Sequence, residues 1–498
     1  MEPLMDSNRT RMSVVEEVTL GTTPVTPRMR TARFTGETLA FRPTFVTSEE
    51  IRDDRMNSDP IKVNETNSGP INGELSFPVD ESPLSIWLKS LMCSTWLNTP
   101  FRDNDGVADS VITALADTTD VATVTAGAAF VAGQLVRFTG FTASANNGVF
   151  KCTTGSATVP AFLGAGFVAE AAPPATARMK VVGFMGAAAD ITALADGLGS
   201  TLLDFTTLGL RVGQWVKIGG TADITSFAFL VAAGAVARRN AWARITAIAA
   251  AKLTLDNLPA GWATDVGTGK TIQVFFGDQI KNGVDTKSCT IERGFMGQAV
   301  PTYIAQRGMV AGEGQFNFTT EDKAKYTFTF SGMSGQASTA SLDSAPDAAT
   351  TNAVMAAAVN VGRIAENGVC LGSPNWMQSL QISVNNNLRM INALDCDETI
   401  GPVDIGKGSF DVTINAPTYF GSDALLTKLF AGTPSNINTR IAKNNQAIIF
   451  AIPRITFTDG APSATAKNTD TTLPLVGQAS KDELTSAHLI IDRLEYFV

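Results

Sequence analysis

Charge is scarce in this chain: Asp, Glu, Lys and Arg together make up 17% of its 498 residues, against roughly a quarter in ordinary soluble domains. With Ala, Thr and Gly abundant, that points to close-packed β architecture with much of its surface hidden in an assembly. Histidine is rarer still, with His488 the single copy. One imidazole excludes a histidine-rich metal centre and paired acid–base work by imidazoles. Its setting, SAHLIIDRLEYF, reads as a satisfied residue of a terminal alternating strand. Five cysteines (Cys93, Cys152, Cys289, Cys370 and Cys396) are odd in number, scattered and free of any CxxC pair, which argues against a disulfide framework and a cysteine-bound zinc. The longest apolar run, Phe227 to Ala237, is too short to cross a bilayer. The start, MEPLMDSNRTRM, has no apolar h-region. A soluble chain kept inside a cell, without a membrane partner, is expected. The net charge of −9 and pI near 4.9 argue against a protein that grips DNA by neutralising phosphates.

What is present is repetition. The phrase ITALAD occurs at Ile112 to Asp117 and again at Ile191 to Asp196, and each copy is followed by a second match, VAGQLVRFTGF from Val131 and LRVGQWVKIGG from Leu210. Repeats at a kept spacing are repeated structural units. Further on, NNGVFKCTTGSATV is matched loosely by RNAWARITAIAAAKLTL, and the second copy carries extra residues over 223–238. Two small tandem β-domains follow from this, bounded at 104–182 and 183–269.

A larger unit recurs at either end. At the N-terminal side come a strand (FTGETLAFRP), a long charged loop (TSEEIRDDRMNSDPIKVNETNSG), an alternating strand (Gly73, Leu75, Phe77, Val79) and a helix opened by Ser82 and Pro83. Serine before proline before an apolar period is a helix start. The buried stripe of that helix should hold Ile86, Trp87, Leu88, Leu91 and Met92. Near the C-terminus the same order returns: LQISV, a loop through NALDCDETIGPVDIG, an alternating strand (Gly408, Phe410, Val412, Ile414) and a helix with Leu425, Leu426, Leu429 and Phe430. The expected organisation is thus a first large unit over 1–103, interrupted by the two β-domains and completed over 270–335 beginning with TIQVFF. An Ala-rich linker or surface-draped connection then covers 336–376, and a second large unit covers 377–498.

Motifs with chemistry fail on inspection. VGTGKT has Thr264 where a P-loop needs its first glycine, and TIQVFF after the lysine reads as strand where a helix is required. DNDG, Asp103 to Gly106, resembles part of a calcium loop, but Phe101 and Ile112 occupy the first and last ligand positions. Neither catalytic, cofactor-binding nor metal-binding residues are expected. The run EEIRDDR mixes charge signs inside a loop of unusual length, and such loops are uncommon unless they bind something. Alternating charges suit docking against another copy, where they set register.

Taken in order, VEEVTLGTTPVTPRMRTARFTGETLAF, TSEEIRDDR, GELSF with its helix, CTIERGF, LQISVNNNLR, GSFDVTI and PRITFTDG closely resemble the tail tube proteins of long-tailed bacteriophages, in the group carrying large insertions. GQWVKIGG with KTIQVFFGDQIKNG resembles the insertion of several members. The likeness covers 13–98 and 270–498. It implies a mainly β fold of two tandem tube units, each a β-sandwich or barrel with one flanking helix, plus the two inserted β-domains as external decoration. It also implies a virion protein, assembled in the host cytoplasm, whose rings stack into a hollow tube that passes double-stranded DNA. The partners implied are other copies of the chain, the tape measure and the tail terminator. With two units per chain, trimeric rings of pseudo-sixfold symmetry are expected, hexamers being the alternative. The family's long loop reaches neighbouring subunits or the next ring, a role carried here to Thr47, Glu49, Glu50, Arg52, Asp53, Asp54 and Arg55. A tube-fold component of a contractile tail and a host-surface-binding adhesin are the other readings.

Overall fold

The computed structural model describes residues 5–106, 111–125, 127–394, 401–463 and 466–497. Cys396 and the middle of the NALDCDETIGPVDIG loop lie outside them. The chain starts with β1 (Thr10–Glu16), β2 (Ala40–Val46) and β3 (Ile61–Glu74), followed by helix α1 (Pro83–Met92). In α1 the Ser82 side chain caps the Ser85 amide, Pro83 occupies the first turn and Cys93 closes the helix at φ 46°. The apolar stripe is buried as its spacing requires, with Trp87 set 5.9–6.2 Å from the rings of Tyr326, Phe328 and Phe330.

The insert follows. Its repeated phrases become β4 (Gln134–Thr139), β5 (Gly148–Lys151) and β6 (Arg178–Met185) in one copy, and β7 (Trp215–Ile218), β8 (Trp242–Ala249) and β9 (Gln273–Phe275) in the other. Each ITALAD forms a hairpin, pairing 112–116 with 121–124 and 192–194 with 197–199. The extra residues of the second copy include two short helices, Ala228–Ala232 and Ala235–Arg239. Within a copy the pairings agree: β4 lies between β5 and β6, β7 between β8 and β9. Gln134 and Gln214 do the same work, each accepting from the amide three residues back and donating to a buried carbonyl, Leu208 or Gly277. Gly133 and Gly213, at φ 91° and 87°, make the turn before them, a conformation cheap only for glycine. The copies join where β6 meets β9, Phe184 opposite Val274, so both share one sheet and one apolar core.

Beyond the insert come β10 (Asp278–Lys281), β11 (Cys289–Phe295), β12 (Thr302–Thr319), β13 (Lys325–Gly332) and β14 (Ser334–Ser338). The second unit holds β15 (Val361–Glu366), β16 (Ser379–Asn385), β17 (Asp411–Tyr419), helix α2 (Ala424–Ala431), β18 (Ser435–Lys443), β19 (Gln446–Asp459), β20 (Thr472–Ala479) and β21 (Ile490–Glu495). The two units are built alike. Lys89 on α1 pairs with Glu16 of β1, and Lys428 on α2 pairs with Glu366 of β15. Both helices end on a left-handed residue, Cys93 and Gly432.

Eight strands form one continuous antiparallel sheet in the order β2, β3, β13, β12, β16, β17, β20, β19, four from each unit. β12 and β19 contribute only their C-terminal halves, because their N-terminal halves bend into a second layer beside β11 and β14, or β18 and β21. The core lies between the layers, with Phe316 and Phe450 meeting across it at 4.8 Å. A third layer is the insert, whose outward face (Leu135, Val182, Trp215, Trp242, Phe275) packs on Ala447, Ile449, Ala451, Ile490 and Leu494 of the second unit.

Several expectations need correction. The charged loop placed at 47–69 ends at 60, because Ile61–Gly69 is already strand; its first three residues are all exposed and its one buried side chain is the polar Asn67, so no apolar face betrays it. The alternating strand ends at Glu74, and Gly73 near its end has no counterpart in Gly408, which precedes β17. TIQVFF belongs to the insert's sheet, since Val274 and Phe276 fill its core while Phe275 faces the second unit; buried on both sides, the run carries no signature of its owner. Of the stretch read as a linker or surface-draped connection, 339–355 is the draped kind, lying over the first unit, where the Leu342 amide donates to Glu292 and the Met29 amide to Asp343. β15 already pairs with β18. His488 stands just before β21, its Nδ1 2.8 Å from the Phe410 carbonyl.

Trp242 is 1% exposed between insert and second unit, its ring 5.1 Å from Tyr496 and 4.7 Å from the Arg440 guanidinium. Trp242→Ala should therefore cost about 3–5 kcal/mol in equilibrium denaturation of the protomer. A loss typical of a surface site would contradict this packing.

Candidate assembly surface

A β-strand at the end of a sheet carries a row of backbone groups that only another chain can pair. Among the described residues, two such rows exist at the ends of the eight-stranded sheet. β2 is bonded on one side only, to β3. β19 beyond Ile455 is bonded on one side only, to β20. The equivalent rows at the middle of the sheet are already joined: β12, the last strand of the first unit, pairs with β16, the first of the second, over Glu313↔Asn385 to Thr319↔Ser379. In the order of strands, β2 corresponds to β16 and β19 to β12.

β2 and the first half of β3 project past the sheet as a two-stranded arm. Isolated hairpins are marginal in water. This one exposes Phe45, Val46, Ile51, Met56, Ile61 and Val63, at 50% to 103% of their full surface. Its tip, 47–60, carries Thr47 and the six charged residues singled out from the sequence, and all seven are exposed. They are not one cluster. Arg52 makes a two-pronged contact with Asp54 at 2.7 and 3.1 Å, holding that carboxyl below and the guanidinium above their ordinary ranges. Glu50 accepts from Ser58. Among the described residues, the side chains of Thr47, Glu49, Asp53 and Arg55 make no hydrogen bond or ion pair in the protomer; Arg55 sits at φ 58°.

One face of the eight-stranded sheet fills the core, and the other carries polar side chains. Glu313, Gln315, Thr327, Thr329, Ser383, Asn385 and Asp411 line a shallow depression of about 530 Å³ there. The insert lies on the far side of the molecule from this face, two layers away. The sequence does not place either free edge, since pairing partners leave no mark on composition. It also grouped Phe430 with the apolar residues of α2. Leu425 is buried and Phe430 is 79% exposed.

The three parts of the chain are riveted by a buried ionic cluster. Asp80 and Asp278 of the first unit meet Arg178 and Lys180 of the insert and Arg493 of the second unit, with Arg493 stacked 4.1 Å over Trp96. Burial alone would raise the Asp80 carboxyl, but Lys180, Arg493 and Arg178 hold it far below its usual range. Buried charges persist only when paired in this way. Asp492, nearby, is different. It accepts from the Trp215 amide and from Gln279. Burial pushes its carboxyl up to about 8, against the pull of those bonds and of Arg211 and Arg244.

The family model for phage tail tube proteins matches the chain twice, over residues 7–255 and 246–479. The chain belongs to that family, as a tandem member carrying the tube domain in duplicate. A search of curated proteins gave no match.

Asp492 binds a proton in the fold that the unfolded chain, with an ordinary value of 3.8, has released. The stability it contributes is full below about pH 4 and falls as pH rises towards 8. Melting temperatures measured across that window should decline more for the wild-type chain than for Asp492→Asn; parallel curves would refute the assignment.

Proposed function

We propose that copies of this chain join edge to edge into rings, and that the rings stack into the hollow tail tube through which genomic DNA reaches the host. The observation that carries this reading is the doubled unit. The chain already contains one joint of the required kind, β12 with β16, and offers the two matching edges, β19 and β2, at its ends. A head-to-tail contact of this sort repeats until it closes. Closure removes the exposed edges that would otherwise template aggregation. Since each chain supplies two units, three chains make six, and trimeric rings of pseudo-sixfold symmetry are favoured over hexamers.

The role of the chain is structural, without catalysis or cofactor. The polar face bearing Glu313 and Asp411 turns inward, where carboxylates repel phosphate and hydroxyls and amides give DNA little to grip. The insert then lies outside, as decoration of the tube wall, consistent with its place two layers from the polar face. Excising it requires polar replacements at Ile449, Ile490 and Leu494, which its removal would uncover. The arm, with Thr47, Glu49, Glu50, Arg52, Asp53, Asp54 and Arg55, reaches a neighbouring subunit or the next ring. The tape measure would run inside the tube and the terminator cap its end, with assembly in the host cytoplasm.

Negative-stain imaging of the purified protein should show tubes with threefold rings. Arg52→Glu with Arg55→Glu should impair polymerisation while leaving the protomer's melting unchanged, because both side chains are exposed. Tubes of normal length from that variant would contradict the role given to the arm.

A further inference from the structure

The internal joint also shows what happens where a strand of one unit leaves its neighbour. After β16 the chain turns onto the corner between the last turn of α1 and β12. The Asn386 amide donates to the Gly312 carbonyl at 2.8 Å, its side-chain amide donates to the carbonyls of Leu91 (2.8 Å) and Ala311 (3.0 Å), and the Leu388 side chain lies against Gly312. Asn386 and Leu388 thus cover this corner, at which Leu91 and Met92 are wholly buried, Leu91 against Gly314 of β12.

The second unit has the same corner without the cover. Lys89 and Lys428 are matched by their ion pairs, and the left-handed caps Cys93 and Gly432 follow at the same distance, so Leu91 corresponds to Phe430. Phe430 is 79% exposed. What corresponds to the segment after β16 is the segment after β2, beginning at Thr47. Within one chain it cannot serve, because β2 and β19 stand at opposite ends of the sheet, seven strand spacings or about 33 Å apart.

We infer that the C-terminal corner of α2, centred on Phe430, is the receptor for the β2–β3 arm of a second copy. The apolar residues on that arm, Val46, Ile51 and Met56, supply the cover that Leu388 supplies inside the chain, and their exposure in the protomer has the same origin as that of Phe430. This rests on the ring reading and adds a surface to it that edge pairing does not require.

The test compares wild-type protomers and tubes by hydroxyl-radical footprinting. Phe430 should lose reactivity several-fold on assembly. Phe430→Asp should melt as the wild type does and fail to form tubes. Under mild oxidation, Phe430→Cys combined in one chain with cysteine at Val46, Ile51 or Met56 should give covalent ladders that the single variants do not. The inference is overturned if Phe430 is as reactive in tubes as in protomers, if Phe430→Asp polymerises at the wild-type critical concentration, or if Phe430 is protected but none of the three pairs cross-links. Should Phe430→Asp not fold, footprinting of the wild-type protein decides. Absence of tubes from the wild-type chain itself overturns the ring reading, and this inference with it.

Discussion

A backbone amide or carbonyl left unpaired and then buried costs as much as a lost hydrogen bond, and a sheet cannot end without leaving a row of them. The architecture of this chain follows from how it treats that constraint. Inside the chain, the row at the end of the first unit is satisfied by the start of the second, so eight strands run as one sheet. At the two outer ends no strand among the described residues is available, and β2 and β19 stay open on one side. The tandem duplication thus displays solved and unsolved versions of one problem side by side, and the solved version specifies what the unsolved one needs.

The insert changes the balance between the two units. The outer face of β19 and β21 in the second unit is apolar and covered by the insert, with Trp242 and Trp215 against Ile449 and Leu494. The comparable layer of the first unit is covered by its own draped segment, where Ser341 and Leu342 reach Glu292. Charge completes the attachment, since the Asp80 and Asp278 cluster takes a residue from each of the three parts. A segment that leaves one unit and packs on the other fixes the angle between them.

Much of this was legible from residues alone. The ITALAD echo reported a real structural repeat down to the matched glutamines, and the capped helix at Ser82 formed where the spacing put it. What stayed hidden shares one physical cause. Hydrophobic periodicity reports burial within a chain, so it misses strands with no buried apolar face, as in the first half of β3. It also misassigns strands buried on both sides, as in TIQVFF, and it counts Phe430 with the core although that side chain is exposed. The residues of the arm stand out by their odd charge pattern and the length of their loop, whereas the edges beside them have no sequence signal at all.

The account stands or falls on whether the two open rows become paired. Amide hydrogen exchange, read by mass spectrometry on protomers and on assembled tubes, addresses that directly. Alternate amides of β2 and those of β19 beyond Ile455 should exchange quickly in the protomer and slowly in the tube, while the β12 and β16 amides are protected in both. Equal exchange of the β2 and β19 amides in both states would contradict it.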